Sequence, residues 1–232
     1  MSKISLKHSG GNVVSLNSPT SAPTSADVAF KLPNTDGSAG QVMKTDGSGN
    51  LSFGAATDTN DFVKLQAATG TSGVAALLFQ NLDVTTYRTF KIVLSGYPVD
   101  DGANLYLRVL DGSTYKTSDG TYNWTQNGTN GAGAAINSAG ANSYATIAGG
   151  AGNNNYEGWR TEITYVPHVS GDPAYQNNFG FAFSNRYTTS NSHRGEVYHF
   201  KFHQSDNTDG IEIYASSGNI AAYSYTLYGL KR

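Results

Sequence analysis

Two histidines and a lysine come closest to a metal-binding pattern in this sequence. His199, Lys201 and His203 occupy alternate positions, so on a β-strand their side chains would share one face. Two histidines at this spacing could hold a metal ion, but no carboxylate or third histidine follows at a fixed spacing to complete the ligand set. The segment is more typical of a strand whose exposed polar face lies opposite an apolar one. We therefore predict neither a metal site nor a cofactor.

Carboxylates are present, but no catalytic arrangement can be recognised among them. Hydrolysis of a glycoside needs two carboxyl groups about 5–10 Å apart across the sugar. No such pair stands out among Glu157, Glu162, Glu196 and Glu212. The sequence has no nucleophile elbow, no phosphate-binding glycine loop, no zincin motif and no cysteine. We predict that the protein is not an enzyme; a polysaccharide depolymerase is the enzymatic alternative.

The composition favours a β-protein and excludes several classes of partner. Of 232 residues, 38% are hydrophobic and 14% are charged, whereas ordinary domains have about 45–50% and 25%. The 15 tyrosines and 10 phenylalanines need a core in which to pack, which argues against a disordered chain. The formal net charge is −2 without a basic cluster, so we expect no nucleic-acid binding. No apolar run approaches the roughly 20 residues that span a bilayer, so we expect no membrane insertion.

From about residue 61 onward, apolar and polar residues alternate along many short segments. A period of two residues, repeated between turn residues, is typical of antiparallel sandwiches and jelly rolls. No segment has a sustained helical period. We predict an all-β, antiparallel, jelly-roll-like β-sandwich over residues 58–232. The alternating sets are Phe90/Ile92/Leu94, Leu105/Leu107/Val109, Trp159/Thr161/Ile163/Tyr165, Phe179/Phe181/Phe183 and Tyr198/Phe200/Phe202.

Residues 1–57 have a different composition. Residues 17–29 hold two prolines among small residues, which favours an extended, solvated backbone. Two short apolar segments flank the turn at Asp46 and Gly47 and predict a small hairpin over residues 41–53. The region has too few large apolar residues to bury a core of its own. We predict an extended N-terminal arm, residues 1–57, that becomes ordered against another surface.

The alternation weakens between Asp111 and Asn155, where glycine, alanine and asparagine dominate. We predict a long functional loop with one or two irregular strands, for example around residues 143–147. Aromatic rings among small polar residues are typical of adaptable binding surfaces; the alternative is that each ring packs on the rim of the sandwich or in a subunit interface. Trp124 offers the largest ring, and we expect its removal to weaken binding without affecting stability. The candidate contacts with a receptor or glycan are Tyr115, Tyr122, Trp124, Tyr144 and Tyr156.

Three passages resemble proteins of tailed bacteriophages. Residues 32–53, LPNTDGSAGQVMKTDGSGNLSF, resemble a segment that recurs in phage fibre and appendage proteins. Residues 6–12, LKHSGGN, are similar to the start of virion proteins from marine short-tailed phages of the cyanophage type. The ending LYGLK, residues 227–231, is similar to the end of many β-domains in those proteins. The resemblance covers both ends of the chain and, more loosely, the sandwich.

The resemblance implies a non-enzymatic protein of the virion surface. Such proteins are usually homotrimers whose N-terminal arm attaches to another virion protein, at the capsid, collar or tail, and whose C-terminal domain faces outward. The length favours a short fibre or knob that contacts the host surface, with a glycan as its natural ligand. The alternative is a capsid decoration (cement) protein that stabilises the shell and binds no receptor. The attachment residues expected in the arm are Leu6, His8, Val13, Val14 and Leu16.

Overall fold

The computed structural model of the protein describes residues 3–17, 20–21, 30–56, 61–117, 122–130, 133, 135–154, 157–171, 178–187, 193–202 and 207–231. Within these ranges every regular element is a β-strand, and no helix is long and apolar enough to cross a membrane. The all-β prediction is confirmed. The chain divides into two compact units, Met1–Thr59 and Asn60–Arg232.

The N-terminal unit contains two hairpins. β1 (Lys3–Lys7) pairs antiparallel with β2 (Val13–Asn17), and β3 (Gln41–Thr45) pairs antiparallel with β4 (Leu51–Ala55). The second hairpin confirms the one predicted over residues 41–53. In its turn, Asp46 Oδ1 accepts the backbone N–H groups of Ser48 at 2.8 Å and Asn50 at 3.1 Å. The hydrogen bond from the Asn50 side chain and these backbone bonds lower the pKa of Asp46, because they stabilise the ionised carboxylate.

The C-terminal unit is a sandwich of two antiparallel sheets. Its strands are β5 (Phe62–Gly70), β6 (Ala76–Phe79), β7 (Tyr87–Pro98), β8 (Ala103–Asp111), β9 (Thr114–Tyr115), β10 (Tyr122–Asn130), β11 (Ala135–Asn142), β12 (Ala145–Ala151), β13 (Gly158–Val166), β14 (Asn178–Tyr187), β15 (His193–Phe202), β16 (Gly210–Ala215) and β17 (Ile220–Lys231). The large sheet has the order β11-β10-β15-β14-β13-β7-β17-β5. The small sheet has the order β12-β8-β16-β6, and β9 pairs with β8.

The core lies between the two sheets and is formed by alternate residues of their strands. In four of the five alternating sets found in the sequence, the apolar residues are buried, so the predicted core faces of β7, β8, β13 and β15 are confirmed. The small sheet contributes a second layer that includes Phe79, Ile147, Ile211 and Ile213, each at most 1% exposed. Because the core-facing sides of both sheets are apolar, the burial of these sides is the main driving force for packing the sheets together.

β14 is the strand whose phenylalanines face away from the core. Phe179 and Phe183 are each 49% exposed, whereas Ala182 is fully buried. The alternation itself is as expected from the sequence, but the face of β14 that packs on the core is the one that carries Ala182 and Ser184, not the one that carries the phenylalanines. An outward-facing aromatic row therefore runs along the middle of the large sheet.

The predicted long loop between Asp111 and Asn155 is wrong, because most of this region forms strands. β9, β10, β11 and β12 all lie within it, and β10 pairs with both β11 and β15 in the large sheet. The irregular strand expected around residues 143–147 is confirmed as β12, whose pairing with β8 shifts register. The region is poor in large apolar residues because β11 and β12 are edge strands, and because β12 packs with small residues such as Ala145 and Ala148, both fully buried. Strand pairing, which is a tertiary interaction, replaces the hydrophobic alternation that sequence analysis relies on.

Side chains of the large sheet bond to the irregular backbone of β12. The pairing of β12 with β8 shifts register twice, around Ala148. Two carbonyl groups of β12 accept hydrogen bonds across the sandwich: Gly149 from Trp159 Nε1 at 3.0 Å, and Ile147 from Ser184 Oγ at 2.6 Å. These bonds satisfy buried backbone groups that an irregular ladder would otherwise leave open.

A buried ion pair between β14 and β15 of the large sheet makes a third connection to β12 of the small sheet, through a hydrogen bond of Arg186. Glu196 is fully buried and Arg186 is 7% exposed at their side chains. Arg186 Nε lies 3.0 Å from both carboxylate oxygens, and its Nη2 lies 2.8 Å from Oε1. Gln126 and Tyr198 donate to the same carboxylate, each at 2.9 Å, and Arg186 also donates to the Gly150 carbonyl of β12. Burial, followed by the negative charge of Glu196, raises the pKa of Tyr198, which keeps its hydroxyl a donor.

Candidate binding surfaces

The expected attachment residues lie on the hairpin β1–β2. Leu6 is 71% and Leu16 74% exposed, and Val13 is 51% exposed. In the register, Leu6 is opposite Val14 and Ile4 is opposite Leu16, so these four positions share one face of the hairpin and Val13 lies on the other. The expected residues therefore lie close together but are divided between two faces.

His8 has a structural position at the start of the β1–β2 turn. Its Nδ1 accepts the N–H of Gly10 at 3.0 Å, and its backbone N–H donates to the Asn12 carbonyl at 2.9 Å. Gly11 adopts φ 95° in this turn, a conformation that side chains rarely adopt. The His8 ring is exposed but shapes the turn.

None of the N-terminal residues whose burial the structure describes is buried. Phe30 is 64%, Leu32 77% and Met43 53% exposed, in addition to the leucines of β1 and β2. The expectation that this region builds no core of its own is confirmed for the described residues. Each two-stranded hairpin is therefore a marginal structure by itself in water.

Tyr122 is wrong as a predicted receptor contact, because it belongs to the core. It is fully buried on β10. Its hydroxyl accepts the N–H of Val109 at 2.9 Å and donates to the Lys116 carbonyl at 2.7 Å. Burial raises the pKa of Tyr122, which keeps the hydroxyl protonated in this role.

Trp124 is two residues further along the same strand face and is half-buried against the core. Its ring centroid lies 6.4 Å from that of Tyr198, and its ring covers Gly140 of β11, where an added Cβ would come within 2.7 Å of Nε1. The expected loop position of Trp124 is therefore wrong, because the residue lies on a strand, and its packing leads us to expect that its removal affects stability. The contacts around Trp124 account for a packing role and not for contact with a ligand.

Of the remaining predicted contacts, Tyr115 and Tyr144 are accessible. Tyr115 is 41% exposed on β9, and Tyr144 is half-buried just before β12. Tyr156 lies outside the described residues. The four described aromatic residues among these therefore do not form one common surface.

Tyr144 is part of a cluster that the sequence did not reveal. It stacks on Tyr106, with ring centroids 3.9 Å apart and an angle of 20°, and Tyr106 meets Tyr214 edge-on at 5.6 Å. These three residues, the tyrosine cluster, lie on the outer side of the small sheet. The hydrogen bond with Tyr106 raises the pKa of Tyr144, and burial raises the pKa of Tyr214 to about 12. The hydroxyls of Tyr144 and Tyr214 are therefore protonated at neutral pH and can donate hydrogen bonds.

A charged pair lies beside the tyrosine cluster. The guanidinium carbon of Arg108 is 4.4 Å from the Tyr214 ring centroid, and Arg108 Nη1 is 3.5 Å from Glu212 Oε2. Burial raises the pKa of Glu212, and the charge of Arg108 opposes that shift. Arg108 Nε, Glu212 Oε2 and the Tyr214 hydroxyl have no hydrogen-bond partner among the described residues. The tyrosine cluster and this charged pair together combine aromatic surface with polar atoms that have no hydrogen-bond partner among the described residues.

A groove of about 440 Å³ opens at one end of the large sheet. Arg160, Ser95, Ser224 and Thr69 lie directly opposite one another on β13, β7, β17 and β5, and form a polar row across four adjacent strands. Three tyrosines and one acidic residue also line the groove: Tyr97, Tyr187, Tyr223 and Glu157. No local spacing in the sequence announces this site, because its residues are separated by up to 155 positions between Thr69 and Ser224.

The candidate catalytic and metal-binding residues are dispersed. Glu162 pairs with Lys91, Glu196 with Arg186 and Glu212 with Arg108, and Asn154 donates to Glu157 at 2.8 Å. His199 and Lys201 are exposed, as expected, and His203 lies outside the described residues. In the part of the chain that the structure describes, no group of three or more metal-ligating side chains occurs.

No protein-family model, curated protein or solved structure matches the chain. The fold class and the surfaces described above therefore stand on the geometry of this protein alone.

Proposed function

We propose that the protein is a non-enzymatic appendage of a phage virion, a short fibre or knob on the particle surface. Its N-terminal unit attaches to another virion protein, and its sandwich contacts the host surface. The observation that carries the proposal is the contrast between the two units. The sandwich encloses a large apolar core, whereas none of the N-terminal residues whose burial the structure describes is buried.

The exposed apolar residues of the N-terminal unit argue that it functions against a partner. Side chains such as Leu6, Leu16 and Leu32 gain about 1.5–3 kcal/mol each when they are fully buried. The hairpins also have open edges that can pair with further strands. Neighbouring copies of the chain in a homotrimer and an acceptor protein on the capsid, collar or tail would supply these contacts.

Attachment can be tested with the substitutions Leu6→Asp and Leu16→Asp combined in the full-length chain. A charge on this face opposes its burial, so we expect the variant to be lost from purified phage particles. Leu78→Asp is the matched control, because Leu78 is an exposed leucine, 43% accessible, on the sandwich. Normal incorporation of the N-terminal variant, or equal loss of both variants, would contradict attachment through β1–β2. Deleting residues 1–31 should likewise leave a folded sandwich that no longer joins particles.

The oligomeric state gives an independent test. A homotrimer of 24.5 kDa chains has three times that mass, about 74 kDa. Light scattering of the full-length protein at micromolar concentration should give this value. A monomer under these conditions would argue against association through the N-terminal unit.

The second candidate function is capsid decoration, in which the protein clamps the shell and binds no receptor. Two of the predicted receptor contacts, Tyr122 and Trp124, pack in or against the core of the sandwich, and this favours the alternative. The two functions can be separated at the tyrosine cluster. Tyr144→Ala combined with Tyr106→Ala should weaken adsorption to the host if the sandwich binds there. Unchanged adsorption, with a fall in capsid stability when the protein is absent, would support decoration.

A further inference from the structure

The groove at the end of the large sheet has the composition of a site for a polar ligand with hydroxyl groups. The polar row places the hydroxyls of Thr69, Ser224 and Ser95 on neighbouring strands, at intervals of about 4.8 Å. Arg160 continues the row on β13. A serine or threonine hydroxyl both donates and accepts, so the row can meet hydroxyl groups of either orientation.

The charged residues of the groove balance each other. Arg160 is exposed and has no ion-pair or hydrogen-bond partner among the described residues. Glu157 is half-buried, and the Asn154 side chain fixes it by donating to Oε2 at 2.8 Å. Guanidinium and carboxylate groups can each bind two adjacent hydroxyls in a planar geometry. Together the two side chains give the groove no net formal charge, so neither sign of ligand charge is favoured overall.

Aromatic surface borders the polar row. Tyr187 is 47% exposed, and Tyr97 lines another part of the groove. The ring of Tyr223 does not contribute to this surface, because Tyr223 alternates with Ser224 on β17 and packs against the core beside Tyr225. Tyrosine rings offer an apolar face to a ligand and a hydroxyl at the edge.

At the edge of the groove, β13 and β7 approach each other closely. Gly158 begins β13 with φ 128°, and an added Cβ would come within 2.4 Å of the Gly96 carbonyl oxygen. Glycine is therefore required for this close approach of two strands. The volume of about 440 Å³ is within the usual range of about 300–1,000 Å³ for small-molecule sites.

We propose that this groove binds a neutral mono- or disaccharide. Sugars combine hydroxyl groups with apolar C–H faces, which is the combination that the hydroxyl row, the opposed charges and the tyrosine rings complement. The site is distinct from the tyrosine cluster, and the inference does not depend on the proposed attachment to a virion. Sugar binding can therefore be measured on the purified protein, without virions.

The test is a titration of the full-length protein followed by saturation-transfer NMR. The probes are glucose, galactose, mannose, N-acetylglucosamine, maltose, lactose and cellobiose, with glucuronate and N-acetylneuraminate as acidic counterparts. We expect saturable binding of at least one neutral sugar in the millimolar range. Arg160→Ala and Tyr187→Ala should each weaken it about tenfold, since each removes a charge-assisted hydrogen bond or a ring contact. Ser224→Trp should abolish binding, because the larger side chain would fill the groove.

Matched controls separate the groove from the rest of the surface. Arg88→Ala removes an exposed arginine elsewhere, and Tyr115→Ala removes a tyrosine that is 41% exposed, close to the 47% of Tyr187. Both controls should bind like the wild type. The proposal is overturned if no neutral sugar binds saturably, if only the acidic sugars bind, or if binding persists in Arg160→Ala and Ser224→Trp. It is equally overturned if Tyr115→Ala weakens binding as much as Tyr187→Ala.

Discussion

Replacing Arg186 by methionine removes the cation from the buried pair that connects the two sheets. Methionine has a similar length but cannot donate hydrogen bonds. The Glu196 carboxylate, which is fully buried, would keep its bonds from Gln126 and Tyr198 but lose three contacts with the guanidinium. The Gly150 carbonyl of β12 would lose its side-chain donor as well. The variant thus leaves a buried charge without its counter-ion.

The size of the effect follows from the burial of both partners. Removing one member of a buried ion pair typically costs about 3–5 kcal/mol. The total stability of a domain is about 5–15 kcal/mol, so this loss is a large share of it. For a domain of this size it corresponds to a fall in Tm of roughly 6–20 °C. Glu196→Gln should have an effect of the same order, since it leaves the guanidinium buried without an anion.

The double variant Arg186→Met with Glu196→Met distinguishes the pair from its surroundings. Replacing a buried ion pair by apolar residues is often neutral, but here Gln126, Tyr198 and Gly150 would lose partners, at about 1–3 kcal/mol for each buried group left unsatisfied. We therefore expect the double variant to remain destabilised, yet by clearly less than the sum of the single variants. A coupling free energy of at least about 2 kcal/mol should result.

Unfolding of the full-length chain in guanidinium chloride, followed by fluorescence at pH 7, measures the free energies of unfolding of these variants. Lys91→Met is the matched control, because the Lys91–Glu162 pair is on the surface, with side chains 30% and 44% exposed. It should cost less than about 1 kcal/mol. A loss of that small size for Arg186→Met, or strict additivity in the double variant, would refute the reasoning that this pair is buried and bridges the sheets.

Three further predictions concern single residues. Tyr122→Phe should lower the free energy of unfolding by about 1–3 kcal/mol in the same assay, since the buried N–H of Val109 loses its acceptor; no change would show that the hydroxyl is not bonded. Trp124→Ala should cost about 2–4 kcal/mol because the ring packs against the core, whereas Tyr115→Ala, at an exposed site, should cost less than about 0.5 kcal/mol. NMR titration should give Asp83 a pKa of about 2, lowered from 3.8 by hydrogen bonds from Thr85 and Thr86. A lowered pKa means that this carboxylate stabilises the fold above pH 3.8 and that its contribution is lost as the pH falls towards 2; an ordinary pKa would contradict the turn geometry.

Much of the fold could be predicted because strand formation leaves a local pattern. The alternation at Phe90, Ile92 and Leu94 predicted the buried face of β7, and the Asp46-Gly47 turn predicted the β3–β4 hairpin. The lack of buried residues in the described part of the N-terminal region was also predicted, from its composition. In each case neighbouring residues carry the information, since the side chains of a strand alternate between two faces wherever the strand lies.

The candidate sites were predicted less well, because exposure is a property of the whole fold. Tyr122 and Trp124 lie among small polar residues in the sequence, which indicated a loop. Pairing of β10 with β15 turns both rings toward the core. Tyr144 was a candidate contact from the sequence, but the cluster to which it belongs also needs Tyr106 from β8 and Tyr214 from β16, which come together only in the folded sheet.

The sequence by itself determined the strand class of this protein, most core faces and the lack of buried residues in the described part of its N-terminal unit. It did not determine which face of β14 is buried: an added Cβ at Gly180 would come within 2.3 Å of the Phe200 ring and 2.4 Å of the Thr164 carbonyl oxygen. The neighbouring strands therefore leave room only for small residues there and turn the phenylalanines outward. The groove likewise exists only because antiparallel pairing brings Thr69, Ser224, Ser95 and Arg160 into one row. Register between distant strands is set by packing over the whole sandwich, so only the tertiary structure decided where its binding surfaces lie.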